Sequence, residues 1–112
     1  MDSEIEVNII PTYREPRYKL STTIEGVLYN LKFRFNERAN KWFMDIYDSK
    51  MERVHIGITL LPNKMFIVPE INEDGVFFYY RDVDESETTV FTSSDAFFLP
   101  DSCHLMYMVG VK

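Results

Sequence analysis

Between Tyr18 and Leu60 the chain alternates apolar and polar side chains with a period of two, and no other feature constrains its fold as strongly. Successive side chains of a strand point to opposite faces, so this alternation marks strands with one buried face. Tyr18, Leu20, Thr22 and Ile24 oppose Lys19, Ser21 and Thr23, and Glu25-Gly26 then supplies a turn. Tyr29, Leu31, Phe33 and Phe35 alternate with Asn30, Lys32 and Arg34. After a polar loop at 36–41, Trp42, Met44 and Ile46 alternate with Phe43, Asp45 and Tyr47. Asp48 to Glu52 reads as another turn, and Val54, Ile56 and Ile58 carry the pattern on to Leu60. The segment is expected to be an antiparallel meander of four strands.

The registers support one another. If Ile24 faces Val27 across the first turn, Leu20 faces Leu31 and Tyr18 faces Phe33. If Phe35 faces Trp42 across the second, Phe33 faces Met44 and Leu31 faces Ile46. Both hairpins then place their apolar residues on one face. On the other, Lys19, Lys32 and Asp45 fall in one row, which predicts an ion pair between Lys32 and Asp45. A slip of one residue would destroy this agreement. The expected core is Leu20, Leu31, Phe33, Trp42, Met44, Ile46, Ile56 and Ile58.

The second half is less regular. Leu61-Pro62 to Val68-Pro69 is an apolar crossing bracketed by prolines, suited to an edge strand. Val76 to Tyr80 is an aromatic run and Glu87 to Phe91 is rich in Thr and Val, so both read as strands. His104 to Val111 is apolar on both faces, as in a central strand buried from two sides. A single helical turn near Ser94 to Leu99 has Ser94 or Asp95 as its candidate cap. The fold class is therefore all-β: a small antiparallel barrel or sandwich built on a meander, with about 7–8 short strands.

At the N-terminus, Ile5, Val7 and Ile9 alternate with Glu4, Glu6 and Asn8, and Pro11 and Pro16 then interrupt regular pairing. This divides the chain into an N-terminal arm or strand, 1–17, and a single β domain, 18–112. Such an arm can close its own sheet or add to the edge of a neighbour's. The candidate interface is Ile5, Val7 and Ile9 together with Phe77, Tyr79 and Tyr80, because the run at 76–80 is too apolar for one buried face.

Composition narrows the function classes. The 112 residues are 46% hydrophobic, with nine Phe, seven Tyr and one Trp, enough for one compact core. A net charge of −6 argues against a polyanion as the main partner, since nucleic-acid affinity rests on basic side chains. No apolar run reaches the roughly 18 residues of a membrane helix. The acidic start, Met1 to Glu6, does not resemble a secretory leader, so synthesis and solubility in the cytosol are expected. The one cysteine, Cys103, rules out an internal disulfide and is expected to pack as a small buried hydrophobe.

Candidate chemistry is thin. His55 falls on the outward face of its strand, and Cys103 and His104 point to opposite faces, so they cannot ligate one metal from a regular strand. The segment Asp82 to Glu87 opens like a calcium loop but has Glu87 at the bend glycine and Ser93 at the closing acid. It reads as a solvated hairpin tip. Asp45 has a lysine beside it and Asp48 opens a turn, so neither suits a glycosidase acid. No phosphate loop or nucleophile elbow occurs. The run 77–80 could serve as a stacking platform for sugar or single strands, but suits a protein interface better in so acidic a chain. No enzyme activity, cofactor or metal is expected.

Several of these residues also carry a family resemblance. They are Tyr18-x-Leu20, the Gly26 turn, Tyr29-x-Leu31-x-Phe33-x-Phe35-Asn36 with Arg38, Trp42-x-x-Asp45-Ile46-Tyr47-Asp48, and Gly57-Ile58-x-Leu60. In this respect the chain resembles the baseplate plug family of contractile-tailed bacteriophages and related prophages. Two positions depart from the pattern: Ser49-Lys50-Met51 stands where a glycine turn is frequent, and Phe35 where Trp is common. The resemblance implies a structural virion protein of the tail baseplate, at the central hub, helping to plug or adapt the tail channel. Its implied partners are hub and spike proteins, with the tail tube or tape-measure protein as further candidates, in a symmetric oligomer. No membrane or sequence-specific nucleic acid is expected among them. The alternative is a receptor- or carbohydrate-binding β module of a tail.

Overall fold

The computed structural model describes residues 4–81, 96–101 and 103–111. The strands are β1 (Glu4–Ile10), β2 (Arg17–Ile24), β3 (Val27–Asn36), β4 (Lys41–Asp48), β5 (Arg53–Leu60), β6 (Lys64–Phe66), β7 (Val76–Arg81) and β8 (Cys103–Val111). They form two four-stranded antiparallel sheets, ordered β1-β8-β7-β6 and β2-β3-β4-β5. The fold is thus a sandwich and not a closed barrel. A 3-10 turn, Ala96–Asp101, leads into β8. The acidic segment 82–87, the expected strand 87–91 and the candidate caps Ser94 and Asp95 lie outside the described residues.

The meander β2-β3-β4 has the register its alternation predicts. Ile24 pairs with Val27, Leu20 with Leu31, Phe35 with Trp42 and Leu31 with Ile46. Glu25 and Gly26 take φ of 52° and 80°, both left-handed, as a two-residue hairpin turn requires. In the turn after β4, Asp48 Oδ1 accepts the amides of Lys50 at 2.8 Å and Glu52 at 2.9 Å. Met51 holds φ of 64° there, the backbone shape a glycine would adopt without strain.

β5 departs from the expected pattern. Met44 pairs with Ile58 but Ile46 pairs with His55, so Ile56 and Gly57 together oppose Asp45. A second shift follows before Tyr47 meets Arg53. Gly57 takes φ of +80° at the first bulge, and its amide donates to Asp45 Oδ1 at 2.7 Å. The extra residue reverses the facing of the strand. Ile58 stays in the core, whereas Ile56, expected there, is 41% exposed. His55 correspondingly leaves the outward face, opposes the buried Ile46, and reaches Glu70 Oε2 through Nδ1 at 2.6 Å.

The core lies between the sheets. The meander contributes Leu31, Phe33, Trp42, Met44 and Ile46, with Leu20 half-buried beside them. The opposite sheet contributes Ile10, Phe77, Tyr79, Leu105 and Tyr107, along with buried Cys103. Phe97, on the 3-10 turn, stacks on Trp42 at 5.8 Å and closes one end.

The segment between the two prolines is held, not loose. The Tyr13 amide donates to the Tyr18 hydroxyl at 2.9 Å, and the Phe35 amide to the Pro16 carbonyl at 2.9 Å. β1 itself pairs with β8 over seven positions, Glu4 with Val111 through Ile10 with Leu105. The N-terminal arm is therefore an edge strand of its own domain.

Candidate protein interface

β1 buries Ile10 but carries its other three apolar residues on the side away from this domain's own core. Ile5 and Ile9 are 68% and 59% exposed, and Val7 is exposed with them. Asn8, by contrast, pairs with the inward-facing Tyr107, and its buried Nδ2 has no hydrogen-bond partner. A solvated strand would show the reverse alternation.

The exposed residues continue as rows across the whole sheet. Ile9 pairs with Met106, Met106 with Phe78 and Phe78 with Met65, one apolar side chain from each of four strands. Val7, Met108 and Val76 make the next row, and Tyr80 pairs with His104 at the other flank. The rings of Phe78 and Tyr80 lie 5.7 Å apart, and those of Tyr80 and His104 5.4 Å apart. Met65, on edge strand β6, is 64% exposed, and Ile67 just beyond it is exposed as well. The result is a flat, methionine- and aromatic-rich face with few charges, the chemistry of a protein contact.

The expected interface residues divide between two sides. Ile5, Val7, Ile9 and Tyr80 lie on this outer face. Phe77 and Tyr79 do not, because they point inward and are buried. Phe77 stacks on Phe66 at 5.1 Å and meets Tyr107 edge-on at 4.8 Å. Burial drives the Tyr79 phenol pKa well above its ordinary value, with Cys103 and Tyr18 adding to the rise. Two of the four rings at 77–80 are therefore taken from any stacking platform. Phe78, Met65, Met106 and Met108 complete the face instead. Their signal in the sequence was the two-sided apolarity of 104–111, which read as burial from both sides. Among the described residues only one side of β8 is covered.

The outer face of the other sheet is chemically unlike it. Lys19, Lys32 and Asp45 do share a row, but Asp45 Oδ2 accepts from Arg34 Nε at 3.3 Å. Lys32 lies instead over the Tyr47 ring, 4.7 Å from its centre. Asp45 is only 7% exposed, its carboxylate divided between Arg34 and the Gly57 amide. Among the described residues, no three or more His, Cys, Asp or Glu side chains are grouped so as to hold a metal ion.

Comparison with known proteins agrees with an interaction role. A search of curated proteins and one of solved structures return no match. A family model described as "Cyanophage baseplate Pam3 plug gp18" matches residues 7–109, which takes in strands of both sheets and nearly the whole domain. The chain belongs to this baseplate plug family and is a structural component of the phage tail baseplate.

Proposed function

We propose that the protein packs against the central hub and spike through the outer face of the β1-β8-β7-β6 sheet and so helps to plug or adapt the tail channel. One observation carries this reading. β1 exposes Ile5, Val7 and Ile9 and turns Asn8 inward, a pattern that covering the outer face with another protein would stabilise. Copies arranged about the tail axis fit the cyclic symmetry usual for such assemblies. A net charge of −6 suits a channel wall that must let DNA pass without holding it. The protein acts by packing and not by catalysis, and it reaches the virion from the bacterial cytoplasm.

Removal of residues 1–16 does not test this, because it strips a paired strand from the sheet. Val7→Glu, Ile9→Glu and Met65→Glu alter only exposed positions. The triple variant is expected to fold with an unchanged melting temperature yet to be missing from purified tails by mass spectrometry. Normal incorporation of the folded variant would refute the proposal.

A further inference from the structure

Half of the twelve Lys and Arg residues fall between positions 17 and 41, against two of the eighteen acids. Strand pairing gathers four of them on the outer face of the β2-β3-β4-β5 sheet. Arg17 stands opposite Arg34, and Lys19 opposite Lys32, in adjacent same-face rows. The four cations thus form a quadrilateral about 5 Å across the strands and about 7 Å along them. Like charges directly opposed on neighbouring strands oppose pairing.

The nearby acid offsets one of these four charges, that of Arg34, and leaves the other three. Asp45 has one oxygen on the Gly57 amide and the other on Arg34. Among the described residues, Arg17 and Lys19 make no ion pair. The remaining two cations are held over aromatic rings, Lys32 on Tyr47 at 4.7 Å and Arg34 on Phe43 at 4.8 Å, which orders them before any partner arrives. A cleft of about 330 Å³ is lined by Arg17, Lys19, Lys32 and Arg34 together with Tyr18, Phe33 and Asp45. A second of about 300 Å³ extends the basic track past Arg34 to Asn36 and Arg38, with Glu37 on its wall.

We propose that this face is a second docking site, which takes an acidic segment of a neighbouring protein and seats its Asp or Glu carboxylates between Arg17, Lys19, Lys32 and Arg34. Its chemistry complements that of the apolar face, so the plug would join two different neighbours. Size and charge favour carboxylates over nucleic acid. Duplex DNA carries a charge about every 1.7 Å and needs a long basic track. Here the track is four to five cations long, on a chain of net charge −6. Arginine's planar fork, in addition, matches a carboxylate in two-point contact.

The test uses the full chain, a fluorescent polyglutamate peptide and, in parallel, a duplex oligonucleotide. The peptide is expected to bind at low salt and to weaken steeply as salt is added. Arg17→Gln with Lys19→Gln is expected to weaken binding at least tenfold while the melting temperature holds or rises, because opposed like charges are removed. A fall of several degrees would make the cations structural and overturn the proposal. Failure of the peptide to bind, tighter binding of the oligonucleotide, or salt-sensitive self-association without peptide binding would each overturn it too. None of these outcomes touches the apolar face, whose variants are read in tails.

Discussion

The Tyr107 hydroxyl donates to a Glu25 carboxylate oxygen at 2.7 Å, joining the central strand of one sheet to the hairpin tip of the other. Asn72 Nδ2 reaches the same carboxylate, 3.0 Å from each oxygen, so the turn before β7 is drawn into the same contact. Gly75 packs directly on the Tyr107 ring and leaves no room for a Cβ. The two sheets are therefore tied at this end by polar contacts through Glu25.

Tyr107→Phe should lower stability by about 1.5–3 kcal/mol, the range for a hydrogen bond to a charged group. Gly75→Ala should cost a further comparable amount or more, because the new methyl group must displace the ring. Urea unfolding of the two single variants measures both.

The bulge at Ile56-Gly57 makes two neighbouring isoleucines unequal. Ile58→Ala should cost about 2–5 kcal/mol, and Ile56→Ala should stay within about 0.5 kcal/mol. Equal losses at both positions would mean that β5 runs without the bulge. Trp42→Ala, in the centre of the core, should cost about 3–5 kcal/mol by the same measurement.

Alkaline pH should unfold the domain through its tyrosines. Burial pushes the Tyr18 phenol up to about 12, and Tyr79 and Tyr107 are raised further. The folded state holds these protons where the unfolded chain, with an ordinary value of 10.0, releases them. The stability they contribute is complete below pH 10 and is lost as pH rises through the folded values. Phenolate absorbance and circular dichroism should change together in that range, and Tyr18→Phe should shift the transition upward.

Glu70 offers a site-resolved check at acid pH. Its hydrogen bond from His55 holds the carboxyl below the ordinary 4.5. The small stabilisation is present above that value and is lost as pH falls through the lowered one. Carboxyl-carbon NMR should show the depressed midpoint, and His55→Ala should raise it.

The sequence by itself determined the meander. Turn residues at 25–26 and 36–41 lie within a few positions of the strands they join, and side-chain alternation on both sides of each turn agrees on one register. Local information is enough there, because a slip of one residue would reverse every facing. The same logic identified Phe33, Trp42 and Met44 as core. It also carried the resemblance to the plug family, whose motif consists of those core and turn positions.

Tertiary structure decided the rest. Alternation tells which side chains share a face, but not which face another layer will cover. Ile5, Val7 and Ile9 read as a candidate interface in an arm that could pair within its own domain or with a neighbour, and it is the pairing of β1 with β8 that turns them outward on this domain's own sheet. Phe77 and Tyr79 look no different in sequence from Phe78 and Tyr80, yet only the first two meet the opposite sheet. Ile56 loses its place in the core to one extra residue opposite Asp45, and periodicity cannot register an insertion the backbone absorbs. Asp45 takes Arg34 over Lys32, and Glu25 meets Tyr107 from 82 positions away, because such contacts depend on how separate strands and sheets pack in space.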